Sequence, residues 1–371
     1  MHRLISFLSV FLYVVLLAFG ESPTRRYLYM STPDASQKEG RSGNGILVFD
    51  IDNGHQFVRR INIPIFEEGI RGFTGNLKTH SVYYSTSNRR VGAYDLEKDQ
   101  VVWEKTYEVG ADRSSITMDG KKLYVPSGWW DKSEDGGLLV INAKNGERMK
   151  RIKVGPQDHN SFVSLDGRLV YLGTQTMLTV FDTVNERIIQ QVKDVGEYGI
   201  FPYTVNSANT IAYVCLGKTV GFDVVDLKAG KVLHRVIAGK EPIRHRTHGA
   251  GLTPDETELW ISDQEGQKLF IFDATRMPPE PKGHVELSIA GHGWVTFSLD
   301  GKYTYSHAPD IFDAKTKKHV GDVIGISRAR VPKSVPRATK DTGGNPKGIE
   351  VGRPRGMKRA TTVGGVRARG H

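Results

Sequence analysis

A seven-bladed, all-β propeller of four-stranded antiparallel blades is the fold this chain predicts, on three markers that recur in one phase. The first is an apolar strand ending in Asp or Asn, at Phe49-Asp50, Tyr94-Asp95, Ile141-Asn142, Phe181-Asp182, Val225-Asp226, Phe272-Asp273 and Phe312-Asp313, with spacings of 45, 47, 40, 44, 47 and 40 residues. Periods of about 40 to 50 residues that hold four short strands each are those of propeller blades. The second marker is a strand centred on an aromatic, at Tyr29, Tyr83, Tyr124, Tyr171, Tyr213, Trp260 and Tyr305. The third is an apolar-Gly step that closes six of the units, from Val109-Gly110 to Ile324-Gly325.

The unit is clearest from Thr247 to Asp273, which reads as a short strand, a Thr-Pro-Asp turn, a strand centred on Trp260, a polar turn and a strand closing in Phe272-Asp273. The repeated strand-end aspartates are expected to bond their own backbone in the following turn, as are Asp119, Asp166, Asp255 and Asp300 in the turns before the aromatic strands. The first blade starts at Arg26 directly with its aromatic strand, so its innermost strand has to come from elsewhere. Gly348-Ile349-Glu350-Val351 is the candidate, because it is the strand-like piece of a C-terminal tail dominated by Arg, Lys, Pro and Gly, and an unpaired edge inside the ring would be a pairing hazard. The expected layout is a leader over 1–20, the propeller over 21–325 and a basic tail over 326–371 with the closing strand near 348–351.

The order of markers, with Tyr-Val-Pro-Ser at Tyr124 and Trp-Ile-Ser-Asp at Trp260, resembles the YVTN family of bacterial propellers over roughly residues 24 to 325. The resemblance implies the fold. Function differs among relatives, which include phosphogluconolactonase-type lactonases, the large subunits of quinone-linked amine dehydrogenases and some DNA-binding proteins, so the activity has to be argued from the site.

Charge at first suggests a polyanionic partner, since the formal net charge is +10. The excess is confined to the tail: residues 326–371 hold twelve Lys and Arg against two acids, which leaves 39 of each sign in residues 1–325. Contact with nucleic acid is therefore expected only through the tail. Ahead of Glu21, His2 and Arg3 precede an apolar run from Leu4 to Phe19 that ends in small residues, the pattern of an export leader cleaved after Gly20. With sixteen residues the run is short of the about 20 a membrane span needs, so a periplasmic or extracellular protein is expected, an uncleaved anchor being the alternative. Cys215 is the only cysteine, which excludes an internal disulfide and a Cys-x-x-Cys-His haem site. No cofactor is expected.

Loops from an outer strand to the next inner strand emerge on the same face as loops between second and third strands. Aligning the blades on the turn before the aromatic strand puts Arg71, Asp112, His159, Phe201 and His248 at one inner-strand position, with His292 displaced by one. Arg113, Asp158 and His245 lie beside them, and Trp129, Trp130, Lys218 and His307 lie in the second-to-third loops. The expected ligand site is thus a polar channel mouth built from Arg71, Asp112, Arg113, His159, His248 and His292, with Trp129 and Trp130 as a stacking surface. A water-filled channel with ordinary polar lining is the alternative. His159, His248 and His292 are the candidates for metal ligation, which is not expected because no two share a close-spaced motif. A binding or scaffold module for a small molecule or protein partner follows, with a lactonase or quinone-linked dehydrogenase as the rival reading.

Overall fold

The computed structural model describes residues 25–31, 45–63, 70–86, 89–128, 136–174, 177–197, 202–291, 293–323 and, for the backbone, 347–351. These form seven four-stranded antiparallel sheets. In six of them the strands follow chain order from the channel outward. Their innermost strands are Ile70–Asn76 in blade 2, Ser115–Ile116 in blade 3, Asn160–Val163 in blade 4, Tyr203–Val205 in blade 5, Thr247–Leu252 in blade 6 and Thr296–Phe297 in blade 7. In blade 1 the innermost strand is Lys347–Val351, antiparallel to Tyr27–Ser31 with Tyr27 opposite Val351 and Ser31 opposite Lys347. Blade 1 is thus made from both parts of the chain.

Each strand has the composition its layer demands. Second strands such as Ser81–Thr86 are buried at every position, whereas the outermost Gln100–Thr106 is mostly exposed and polar. Every outermost strand carries a register shift against the third strand at the same place, for instance between Val48 and Phe49 and between Ile311 and Phe312. The residue skipped by the shift is pushed outward, which accounts for the exposure of Val58, Val102, Met149, Ile189 and Val320. A bulge twists an edge strand away from partners. The rim is thereby protected from edge-to-edge pairing.

The apolar core is divided among the seven gaps between blades. The gap that closes the ring holds Leu28, Met30, Leu47 and Phe49 of blade 1 against Tyr305 and Ile311 of blade 7. Polar contacts join the same gap: His55 Nε2 lies 2.7 Å from Tyr305 Oη, and the Arg26 guanidinium pairs with both Asp52 and Asp300. Between strands, the marker aspartates cap turns as expected. Asp95 Oδ1 accepts the N–H groups of Glu97 and Lys98, and Asp182 Oδ1 those of Val184 and Asn185. Among the described residues no helix is long and apolar enough to cross a membrane.

Candidate functional site

Equivalent inner-strand residues are set by the same backbone bond. The Asp112 N–H donates to Pro126 O and the His159 N–H to Gly173 O, each at 2.9 Å, fixing both side chains at the end of the channel where the inner strands begin. In blades 2 and 6 the register breaks at the corresponding place, between Ile70 and Gly72 and between Thr247 and Ala250. Arg71 and His248 sit at these irregularities, which re-aim a side chain relative to its strand. Gly72 then lets blade 2 approach blade 3, since a Cβ there would lie 2.7 Å from Asp112 O and 3.0 Å from Arg113 Cα.

Arg71, Asp112, Arg113 and His159 meet in one cluster. Asp112 Oδ2 lies 2.8 Å from His159 Nδ1 and 3.6 Å from Arg71 Nη2, while Asp112 Oδ1 is 3.8 Å from Arg113 Nη1. Arg113 Nη1 donates to His159 Nε2 and, at 3.0 Å, to Asn160 Oδ1. These neighbours fix the tautomer of His159. A guanidinium can only donate, so Nε2 is the acceptor; the carboxylate can only accept, so the proton is on Nδ1. Arg113 Nη1 also lies 3.3 Å from Nδ1, so it sits against the ring as a whole.

All four side chains are buried, with exposures of 1% for Arg71, Asp112 and His159 and 2% for Arg113. Burial would push the Asp112 carboxyl up, but the charge of Arg71, followed by His159 and Arg113, outweighs it and holds the group well below the ordinary carboxylate range. Burial pushes Arg113 down to about 9, opposed by Asp112 and helped by Arg71, and the guanidinium remains a cation at neutral pH. The Trp294 ring stacks on this guanidinium at 5.1 Å. Cation–π contact of this kind is worth about 2 kcal/mol when both groups are out of water.

Below the cluster is a channel cavity of about 120 Å³, walled by the inner strands of blades 3 to 7. Arg113, Asn160 and Trp294 line one end, Tyr203, Ala250, Val295 and Phe297 its apolar wall, and Pro254 and Glu256 the turn end. Glu256 is tied there by the Ser207 N–H at 2.6 Å. A cation with an aromatic lid at one end of an apolar chamber can orient a small polar molecule.

Of the other residues expected at the mouth, His248 is fully buried and Asp158 faces Ser127, whose N–H donates to Asp158 Oδ2 at 2.8 Å. His307 is fully buried with Nε2 at 3.2 Å from Ile289 O, and burial lowers its pKa to about 4. His245 stands apart on Asp263 at 3.0 Å. Lys218 is exposed. His292, Trp129, Trp130 and Phe201 lie outside the described residues. The cluster is therefore enclosed in the ring rather than displayed on an open rim, because the inner strands of successive blades press together at this level. Arg113 and Asn160 even form a parallel bridge.

Sequence reasoning missed Asn160, Trp294 and Tyr203. The signal for Asn160 was present as a tandem: Asp112-Arg113-Ser114 and His159-Asn160-Ser161 put consecutive polar residues at the same place in adjacent blades, so the residue one step further in also faces the channel. Trp294 follows Gly291-His292-Gly293, a close-approach segment in which a Cβ on Gly293 would lie 1.9 Å from His307 Nδ1.

No family model matches the chain, and no curated protein does. Its shape is shared: 1703 chains of solved structures match, too many for the fold to point to one activity. Kuenenia stuttgartiensis hydrazine synthase matches with a TM-score of 0.56 at 18% identity, covering 66% of this chain and 76% of that one. The Myceliophteria thermophila Cps50 (Swd1) beta-propeller domain matches with a TM-score of 0.56 at 12% identity, covering 69% and 86%. At these identities the likeness is one of fold, and it supports the seven-bladed propeller on which the cavity is built.

Proposed function

We propose that the protein is an exported propeller of the YVTN type that binds a small ligand in its channel and serves as a binding module. The observation that carries this reading is the cavity itself: a chamber on the ring axis with apolar walls and a buried, charged cluster at one end. Ligand pockets combine apolar walls with a few placed polar groups in this way. Export is supported by the leader-like run ahead of Glu21, and the balance of charges in residues 1–325 supports a small ligand over a polyanion as the partner of the ring.

The burial of His159 favours binding over catalysis. A general base needs a lone pair within reach of the substrate, and His159 is 1% exposed, with Asp112 and Arg113 against its ring. The same enclosure of Arg71 and His248 removes support for a lactone-opening pair made from those two residues.

A screen of small polar and apolar molecules against the whole chain, read by melting temperature and tryptophan emission, tests the reading. Trp294 lines the cavity and is one of five tryptophans, so emission changes on binding should shrink in Trp294→Phe while the melting shift remains. No hit that depends on Trp294 would count against a channel ligand.

A further inference from the structure

Two buried aspartates, Asp223 of blade 5 and Asp310 of blade 7, occupy the same place on their third strands, Gly221–Asp226 and Asp310–Asp313. Each stands three residues before the strand-end marker, with the register shift against the outermost strand beginning one residue later. Both side chains are fully buried. Both also accept an N–H from the segment that enters the blade. Gly196 donates to Asp223 Oδ2 at 2.9 Å, and Ser288 donates to Asp310 Oδ2 at 2.8 Å from its N–H and at 2.7 Å from its hydroxyl.

The two blades differ in what stands opposite. In blade 5 the cross-strand partner of Asp223 is Arg235, whose Nε and Nη2 grip the two carboxylate oxygens at 2.7 and 2.9 Å. In blade 7 the cross-strand partner of Asp310 is Asp322, so an acid takes the place of the base. Like charges directly opposite across a strand pair are destabilising, and a buried carboxylate is costly unless a cation faces it. The shift in blade 7 skips Val320, which turns outward, and brings His319 to the same face as the two acids. His319 Nε2 lies 3.0 Å from Asp322 Oδ1 and 3.6 Å from Asp310 Oδ1.

Nitrogen and oxygen ligands about 2.0–2.2 Å from a divalent transition cation lie about 3.0–3.5 Å from one another in tetrahedral or octahedral geometry. Ligand atoms of Asp310, His319 and Asp322 all lie within 4.8 Å of one another, and the two separations from His319 are close to that spacing. The side chains of His319 and Asp322 are 30% and 15% exposed, so the cluster is open to solvent on one side. Among the described residues His245, Asp263 and Glu265 also converge, but their acids are taken up by the backbone: Asp263 Oδ1 accepts the N–H groups of Glu265 and Gly266, and Glu265 Oε2 that of Arg246.

We propose that Asp310, His319 and Asp322 form a divalent-cation site between the third and outermost strands of blade 7, away from the channel, for zinc or a metal of similar ligand preference. The imidazole selects against magnesium, which takes oxygen ligands. The cation supplies the positive charge that Arg235 supplies in blade 5, and it ties the outermost strand His319–Asp322 to the ring.

Titration of the full, chelator-treated chain with zinc chloride and with magnesium chloride, read by calorimetry and by melting temperature, tests the site. Zinc at about a hundredfold excess over Kd should raise the melting temperature by about 5 °C, and magnesium at the same concentration should leave it unchanged. His319→Ala and Asp322→Asn should each weaken zinc binding at least about tenfold, since the loss of an outer-shell partner already costs that much, while His245→Ala should leave it unchanged. Asp322→Arg restores the pairing of blade 5, so it should abolish zinc binding and raise the metal-free melting temperature above that of the wild type. Zinc binding that survives Asp322→Arg or His319→Ala, a metal-free Asp322→Arg no more stable than the wild type, or a wild type that binds no zinc at submillimolar concentration would overturn the proposal.

Discussion

Replacing Asp112 by Asn tests the energetics of the buried cluster. The substitution keeps size and leaves an oxygen to accept from His159 Nδ1, but it removes the charge that faces Arg71 Nη2 at 3.6 Å and Arg113 Nη1 at 3.8 Å. Both guanidiniums are buried. Removing one member of a buried ion pair costs about 3–5 kcal/mol because the remaining charge stays desolvated, which at about 2 °C per kcal/mol for a large domain is a fall in melting temperature of about 6 °C or more. The pH dependence carries a second signature. The folded pKa of Asp112 is depressed, so its contribution is complete above the unfolded value of about 3.9 and is lost as pH falls toward the folded value. Melting curves of wild type and Asp112→Asn should thus differ by a constant amount above about pH 5 and converge below about pH 4. A difference under about 1 kcal/mol at pH 7, or one that persists unchanged at pH 3, would refute the view that this carboxylate holds the two cations in place.

Other perturbations probe the ring around the site. His55 and His307 are both lowered to about 4, chiefly by burial, so each is neutral in the fold and the unfolded chain gains protons first as pH drops below about 6.5; melting temperature should fall between about pH 6.5 and 4, and less steeply in His55→Gln and His307→Gln. Gly72→Ala introduces a Cβ at 2.7 Å from Asp112 O, and since backbone cannot step aside cheaply, a loss of about 2 kcal/mol or more is expected in the same assay; a neutral result would mean the two blades are not in close contact there. Truncation before Lys347 removes the strand paired with Tyr27–Ser31 and should lower the melting temperature by at least about 5 °C, whereas truncation from Gly352 onward should leave it within about 2 °C, because only the first exposes an inner edge.

The blade count was legible because each blade repeats local chemistry that needs no tertiary context. Asp50, Asp95, Asp182, Asp226 and Asp313 each accept two successive turn N–H groups through one oxygen, and an aspartate with that habit announces its turn in the sequence. The meeting of Arg71, Asp112, Arg113 and His159 was legible for the same reason, as residues in equivalent or adjacent positions of neighbouring blades. What the sequence concealed was depth. Register breaks at Arg71 and His248 and the glycine approach at Gly72 draw the inner strands together, and such non-local closeness has no period to read. The cavity was hidden likewise, since Trp294 and Tyr203 each stand two residues beyond the aligned positions His292 and Phe201.

The most direct test is a crystal structure of the whole chain, read at one end of the channel cavity. Asp112 within hydrogen-bond distance of His159 Nδ1 and the Trp294 ring over the Arg113 guanidinium are expected there. An Asp112 carboxylate turned away from His159, or a Trp294 ring turned away from Arg113, would contradict the description of the buried cluster.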